Sequence, residues 1–172
     1  MTEALARLAA NPAAALELGK AAEHLVCADL TLRGYRAFLS DQGLPYDVLI
    51  ELGGSILRIQ VKGTAFCRNI NAAGRPPRLA YSFSVRRNGK NGRTRLSNTD
   101  CDLVALVALD IRQIAYMRIA GVGQTVQLCP PGTPESRNRW GSLQYNALSN
   151  IDQYPIERLV EPTEDDQFQL AI

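Results

Sequence analysis

The sequence contains few of the residues on which most metal and nucleophilic sites depend. Of its 172 residues only one, His24, is a histidine, which excludes a multi-histidine metal site and a triad that needs a second histidine. A Cys–His pair that uses His24 stays open, although no nucleophile signature accompanies it. The cysteines at positions 27, 67, 101 and 129 form no C-x-x-C pair, which argues against a zinc knuckle and a compact disulfide framework. We therefore expect free thiols in a reducing cytoplasm.

Long apolar runs are also missing. The first residues, 1–7, contain no such run, so we expect no signal peptide, and no stretch approaches the length of a membrane span. An apolar content of 46% and a charged content of 21% are typical of a soluble globular protein. We expect one cytoplasmic domain over residues 1–161, large enough to bury a core, followed by a flexible acidic tail over residues 162–172.

Acidic residues are absent over a long central stretch, from Leu52 to Thr99. The same stretch contains ten basic residues: Arg58, Lys62, Arg68, Arg75, Arg78, Arg86, Arg87, Lys90, Arg93 and Arg95. A basic block of this kind indicates a nucleic-acid partner, and the alternative is a solvated, highly soluble loop region. Residues 64–99 are predicted to be a basic insert in the domain, irregular over residues 64–79.

Two adjacent glycines, Gly53-Gly54, separate two segments with strand-like sequences, residues 46–51 and 56–62. Adjacent glycines suit a two-residue hairpin turn, because both central residues of a type I′ turn need positive φ. This turn pairs residue 52 with residue 55 and therefore places Asp47 opposite Gln60. Since side chains alternate along a strand, Lys62 lies on the same face, and the apolar side chains of both strands point into a core.

A carboxylate, an amide and an ammonium group therefore converge at one end of this hairpin, and two interpretations compete. In the first, the residues form an ordinary polar sheet face on which Lys62 neutralises Asp47. In the second, the oxygens bind a hard divalent cation such as Mg²⁺, which takes one or two carboxylates and keeps several waters. Lys62 would then hold a phosphate or the attacking water.

Two helices are predicted ahead of the hairpin. The first covers residues 2–10, and the second begins at Asn11-Pro12, ends at Gly34 and follows helical spacing at positions 18, 22, 25, 29 and 32. Glu23 lies beside the apolar stripe of the second helix, on a face shared with positions 26, 27 and 30. Such an acid is partly desolvated unless it meets a cation, and the alternative is a solvent-facing glutamate paired with Lys20.

Strands are predicted around the hairpin and after it, at residues 35–39, 81–86, 102–109, 113–119 and 125–128. After Asp102 the run 102–109 is continuously apolar, which is typical of a central strand buried on both faces. Residues 88–92 are rich in turn formers, and residues 93–96 are predicted to return as a partner strand. A basic hairpin of this kind fits a DNA major groove through Arg86, Arg87, Lys90, Arg93 and Arg95, and the alternative is a floppy surface hairpin. The order of elements predicts an α+β domain on a mixed sheet.

The ordered set of Glu23 on a helix, Pro45-Tyr46-Asp47 and Gln60-Val61-Lys62 resembles the PD-(D/E)XK nuclease superfamily, with one residue inserted in the P-D pair. With Gly19 four residues before Glu23, the glutamine variant looks most like the branch that contains group I intron homing endonucleases. The resemblance covers residues 15–63 and extends loosely to the strand at 102–109. It implies a restriction-endonuclease-like core, in which a mixed β-sheet is flanked by helices.

The resemblance also implies Mg²⁺-dependent hydrolysis of phosphodiester bonds in double-stranded DNA, with Mn²⁺ as a substitute. Asp47 would be the main metal ligand, Gln60 would offer its side-chain oxygen and Val61 its backbone carbonyl. Lys62 would position or activate the water, and Glu23 would complete the site. Because Gln60 replaces a carboxylate, the metal shell loses one negative charge, and we expect weaker metal binding.

Several alternatives stay open at this point. The chain could be a non-catalytic DNA-binding module on the same fold, a Holliday-junction-resolvase-like nuclease, or a structural or protein-interaction domain whose basic block pairs with acids. If it cuts both DNA strands it needs two active sites, so we expect a homo-oligomer, either a dimer or a tetramer.

Overall fold

The computed structural model describes residues 2–70, 78–89, 92–134 and 148–160. The helices are α1 (Thr2–Ala10) and α2 (Ala15–Leu32), and the strands are β1 (Arg36–Leu39), β2 (Val48–Leu52), β3 (Ser55–Thr64), β4 (Arg68–Ile70), β5 (Arg78–Ser84), β6 (Arg86–Gly89), β7 (Gly92–Arg95), β8 (Leu103–Ala108), β9 (Gln113–Arg118) and β10 (Thr125–Leu128). The tail predicted for residues 162–172 lies outside the described residues. In the described part of the chain, no helix is long and apolar enough to cross a membrane.

The main sheet has five strands in the order β1-β2-β3-β8-β9. Only β3 and β8 run parallel, while the other neighbours are antiparallel, so the sheet is mixed as predicted. All six residues of β8 are buried, which confirms the prediction of a central strand covered on both faces. The α+β class predicted from the order of elements is therefore confirmed.

Two hydrophobic cores cover the two faces of this sheet. Helix α2 packs on one face, where Leu103, Ala105 and Val107 of β8 point. The alternate residues of β8, Val104, Leu106 and Ala108, belong to the core on the opposite face. That second core also contains buried residues from β5 and β10, namely Tyr81, Phe83 and Leu128. The strand period of two thus supplies both cores from a single strand.

The stretch 64–79 is not irregular throughout, which corrects the sequence-based expectation. Residues 68–70 form β4, which pairs with β5 in a three-stranded sheet of order β10-β5-β4. Strand β5 begins at Arg78, three residues earlier than predicted, and Arg86 belongs to the separate hairpin β6–β7. Residues 71–77 lie outside the described residues. The sequence did not predict β4, because this three-residue strand is defined by its pairing with β5 and not by its own residues.

Helix α2 buries the predicted stripe in part: Ala22 is buried, Leu18 and Leu25 pack partly buried against the core, and Leu32 does not. Ala22, Val26 and Leu30 are fully buried, whereas Leu32 is 87% exposed. The buried positions are spaced by four residues, so position 32 points away from the sheet. Asn11 caps the preceding 3₁₀ turn by accepting a hydrogen bond from the Ala13 amide. At the other end Gly34, with φ of 88°, ends the helix as predicted.

The four cysteines are free thiols, which confirms that part of the expectation. Cys101 and Cys129 are buried, and Cys27 and Cys67 are partly buried. Burial raises the pKa of Cys101 to about 11, so this thiol stays protonated and packs as a small apolar residue.

Candidate active site

The β2–β3 hairpin has the predicted register. Leu52 pairs with Ser55 and Val48 pairs with Ile59, and both turn glycines have positive φ, 50° at Gly53 and 84° at Gly54. Asp47 lies one residue before β2 and continues the ladder, because its backbone N–H donates to the Ile59 carbonyl at 2.9 Å. The turn therefore fixes which residue of β3 lies beside the Asp47 carboxylate.

The Asp47 carboxylate continues the hydrogen bonding between the two strands beyond the end of the β2–β3 backbone ladder. Its Oδ2 accepts hydrogen bonds from the Val61 backbone N–H, at 2.8 Å, and from Gln60 Nε2. Its backbone carbonyl accepts from the Ser40 N–H at 2.9 Å, so the residue is held from both sides. In a strand the N–H and C=O of one residue point to the same neighbour, so the Val61 carbonyl also faces Asp47.

Among the described residues, Gln60 is the one polar residue that is buried, with 8% of its surface exposed. Its Nε2 lies beside Asp47 Oδ2 and 3.3 Å from the Val61 carbonyl oxygen. A half-turn of this amide exchanges its nitrogen and oxygen. The side-chain oxygen of Gln60 would then face the same point as the oxygens of Asp47 and Val61.

Lys62 follows on the same face as Gln60 and is half-buried. The structure gives its ammonium group no hydrogen bond or ion pair with any described residue, so Lys62 does not neutralise Asp47 by direct contact. Burial lowers the pKa of Lys62, and the nearby Asp47, Cys101 and Glu23 oppose that effect. The ammonium group is therefore close enough to the carboxylates to interact with them electrostatically, and it remains available to a ligand.

Both carboxylic acids of the site bind protons more tightly than usual. Burial raises the pKa of Asp47, against the hydrogen bond from Val61, the charge of Lys62 and the hydrogen bond from Gln60. Burial also raises the pKa of Glu23 on α2, and repulsion by Asp47 adds to it, against the charges of His24, Lys20 and Lys62. Glu23 thus approaches Asp47 from the helix, and Lys20 is one of several cations near it and not its partner in an ion pair.

These residues fit a hard divalent cation. No group of three or more His, Cys, Asp or Glu side chains is found in the described ranges, so a site of that kind is not formed there. What converges is the Asp47 carboxylate, one side-chain amide and one backbone carbonyl, with Glu23 close enough to interact with Asp47 through its charge. Oxygen is the atom that Mg²⁺ prefers. A cation between Asp47 and Glu23 would relieve the repulsion that raises the pKa of Glu23.

The residues predicted to bind DNA differ in how the structure describes them and in what they contact. Three of them join the β6–β7 hairpin to the rest of the protein: Arg86 donates to Gln124 Oε1 at 2.5 Å, Arg87 contacts Asp100 Oδ1 at 3.2 Å and Arg95 donates to the Val122 carbonyl at 3.1 Å. Lys90 lies outside the described residues, and so does the side chain of Arg93. The hairpin is therefore anchored by some of the arginines that the sequence assigned to DNA.

Sequence reasoning missed Arg58, which shares the face of Gln60 and Lys62. Its guanidinium group binds both oxygens of Asp102, at 2.9 and 3.1 Å, and two backbone carbonyls of the turn before β8, those of Asn98 and Thr99. The period of two along β3 would have placed Arg58 on this face. Its partner on the neighbouring parallel strand could not be identified from spacing.

Comparisons with known proteins agree with a nuclease-like fold. No family model matches the sequence, and no curated protein matches it. Among solved structures, the fold is similar to that of a bacterial homing endonuclease, I-Ssp6803I, with a TM-score of 0.54. The sequences are 14% identical, and the match covers 75% of this chain and 88% of that chain. At this identity the similarity establishes a common fold.

Proposed function

We propose that this protein is a divalent-metal-dependent DNA endonuclease of the PD-(D/E)XK superfamily, similar to the homing endonucleases. One observation carries the proposal: the Asp47 carboxylate, the Gln60 amide and the Val61 carbonyl meet at one point beside Lys62. The fold shared with a bacterial homing endonuclease supports it. The set is that of an oxygen-ligand site with a cation next to it.

Each residue of the site has a distinct role in this proposal. A bound Mg²⁺ supplies Lewis-acid chemistry, which stabilises charge on the phosphate and favours a hydroxide nucleophile. Asp47, Gln60 and Val61 would hold it, with Glu23 as the second carboxylate. Lys62 would hold the attacking water or a phosphate oxygen through hydrogen bonds. Its half-buried position would limit access of bulk water to the ammonium group.

The basic hairpin β6–β7 would bind the DNA backbone next to this site. It carries no acidic residue, and DNA binding depends strongly on neutralising phosphates. Cleavage of both strands would require a second active site, so a homo-oligomer, either a dimer or a tetramer, belongs to the proposal. A cytoplasmic location is part of it as well.

The test is nicking of supercoiled plasmid DNA in Mg²⁺ or Mn²⁺, with protein prepared free of host nucleases. Asp47→Ala and Lys62→Ala should each lower the rate by about 100-fold or more, because they remove a metal ligand and a group that touches the reacting atoms. Asp41→Ala is the matched control, since Asp41 is an exposed aspartate in the preceding loop. Equal nicking by the wild type and both site variants would refute the proposed site.

A second candidate is a DNA-binding module that does not cut. It is favoured by the orientation of Gln60, whose Nε2 donates to Asp47 and so satisfies the carboxylate without a metal. Salt-sensitive DNA binding with no calorimetric signal for Mn²⁺, with or without DNA, would select this candidate. Cleavage restricted to four-way junctions would instead select a resolvase-like nuclease with the same site.

A further inference from the structure

Helix α2 and strand β3 approach each other closely at a glycine. Gly63 follows Lys62, and its missing side chain would point toward α2, as the side chains of Ile59 and Val61 do. A Cβ atom built on Gly63 would lie 2.9 Å from the Cβ of Ala22. Ala22 is fully buried and directly precedes Glu23. The two residues in contact are therefore the sequence neighbours of two site residues, Lys62 and Glu23.

A methyl group at position 63 does not fit unless the helix or the strand moves. The Cβ of Ala22 is fixed to the helix backbone, so no rotamer moves it away. On the strand side, Gly63 pairs with Val107 in the ladder between β3 and the fully buried β8. Two carbon atoms prefer a separation of about 3.5–4.0 Å. The helix therefore has to move outward, by about 0.5–1 Å.

We infer that Gly63 is a positioning residue, whose missing side chain sets the separation of α2 from β3 and so brings the Glu23 carboxylate beside Asp47 and Lys62. This inference rests on the proposed function for its biological meaning. A displacement of about 1 Å is enough to lower catalysis by up to ~100-fold when a reacting group is misplaced. Gly63 itself would touch neither metal nor DNA phosphate.

The decisive measurement needs neither metal nor DNA. It is the crystal structure of each metal-free variant, which gives the Cα–Cα distance between positions 22 and 63 and the distance between the Glu23 and Asp47 carboxylates. In Gly63→Ala the helix moves outward, so both distances should lengthen by about 0.5–1 Å. In the double variant Ala22→Gly/Gly63→Ala the methyl group is moved from helix to strand, the space is restored and both distances should return to those of the wild type.

Gly121→Ala is the matched control. A Cβ on Gly121 meets nothing within 4 Å, and its φ is not positive, so this variant should keep both distances of the wild type. A folded Gly63→Ala that has the wild-type distances would overturn the inference. If Gly63→Ala does not fold, the double variant decides. A folded double variant with the wild-type distances supports the inference, and one that is also unfolded overturns it.

A second measurement separates positioning from general packing. Gly63→Ala should weaken Mn²⁺ binding in calorimetry by about 10-fold, in the range seen when support around a metal ligand is lost. In a Glu23→Gln background it should weaken binding no further, because the group through which it acts is gone. An equal loss in both backgrounds would overturn the inference. Absence of DNA cleavage by the wild type would refute the proposed function but leave the measured distances intact.

Discussion

Asp47 combines a structural and a chemical role in one side chain. Its Oδ2 accepts from the Val61 N–H and thereby extends the hairpin ladder by one bond after β2 has ended. The same oxygen faces the amide of Gln60, which is nearly completely buried. A buried carboxylate is costly unless hydrogen bonds or a cation compensate it. The raised pKa of Asp47 shows that the compensation within the chain is incomplete.

Gln60→Glu should make the fold depend on metal. A second carboxylate beside Asp47 Oδ2 would repel it in a buried place, so the free energy of unfolding at neutral pH should fall by about 2 kcal/mol without metal. Saturating Mn²⁺ should recover most of that loss, because it binds the folded state and is held by both charges. Urea unfolding with and without Mn²⁺ measures this. Gln60→Met is the control and should show no recovery, and an equal loss in Gln60→Glu under both conditions would contradict the prediction.

Lys62→Met should stabilise the protein at neutral pH by about 1 kcal/mol, because it removes a half-buried ammonium group. Burial lowers the pKa of Lys62 in the folded state, so its charge costs stability at every pH below that lowered value. The advantage of Met should shrink as the pH rises from that lowered value through 10.5, the ordinary value for lysine, above which both states are neutral. Urea unfolding across this pH range checks it, and a pH-independent difference would show that packing alone is responsible.

At the scale of single elements, the two hairpins differ in what their sequences predict. The turn at Gly53-Gly54 determined the register of β2–β3, because positive φ at two adjacent residues admits few other turns. The basic hairpin β6–β7 forms with Arg86 opposite Arg95, but its first strand covers residues 86–89, whereas most of the predicted strand 81–86 belongs to β5. Its arginines, however, serve partly as anchors. Charge alone does not reveal whether an arginine meets a phosphate or a carbonyl of its own chain.

Two pairs of substitutions should separate the two tasks of the basic hairpin. Lys90→Gln with Arg93→Gln should weaken binding to a labelled random duplex and reduce its log–log salt slope by about 0.9 per lost phosphate contact, without changing stability. Arg87→Gln with Arg95→Gln should also lower the free energy of unfolding, by up to about 1 kcal/mol, since the contacts of Arg87 with Asp100 and of Arg95 with the Val122 carbonyl are lost.

Fluorescence anisotropy at several salt concentrations and urea unfolding measure these effects. An unchanged salt slope in the first pair would show that the hairpin does not bind DNA. An unchanged stability in the second pair would show that the anchoring contacts contribute nothing.

At the scale of the whole molecule, polar contacts join elements that are far apart in the sequence. Arg58 of β3 binds Asp102, which directly precedes the parallel strand β8. On the helix side, Tyr116 donates to Asp29 Oδ2 at 2.8 Å, and Arg33 bridges Asp29 to Glu157 near the end of the described chain. These contacts join β3 to the segment before β8 within the main sheet, and helix α2 to β9 and to Glu157.

Acid should weaken the Arg58–Asp102 contact. The hydrogen bonds from Arg58 lower the pKa of Asp102 below 3.8, so the wild type should be more stable than Asp102→Asn above that pH. The advantage should be lost as the pH falls through the lowered value, because protonated Asp102 no longer attracts Arg58. Both side chains are about 30% exposed, so solvent screening limits the effect to about 1 kcal/mol. Urea unfolding between neutral and acidic pH tests this, and a constant difference would contradict it.

What the sequence determined by itself is local or periodic. The Gly53-Gly54 turn, the alternation along β3 and the apolar run of β8 determined the hairpin register and the central strand, because φ preferences and a period of two act over a few residues. Helix α2 was predicted, but its buried stripe was assigned to include Leu32. The four-residue spacing that buries Leu30 emerges only when the helix packs on the sheet.

The tertiary structure alone decided which distant residues meet. No sequence spacing shows that Asp102 binds Arg58 or that β4 pairs with β5. Nor does it show that Ala22 packs against the side of Gly63 that lacks a side chain. It also decided that Lys62 acts on Asp47 without a direct ion pair. Such contacts depend on how the layers pack in three dimensions. Packing brings together residues that are far apart in the sequence, and it depends on their shapes and charges.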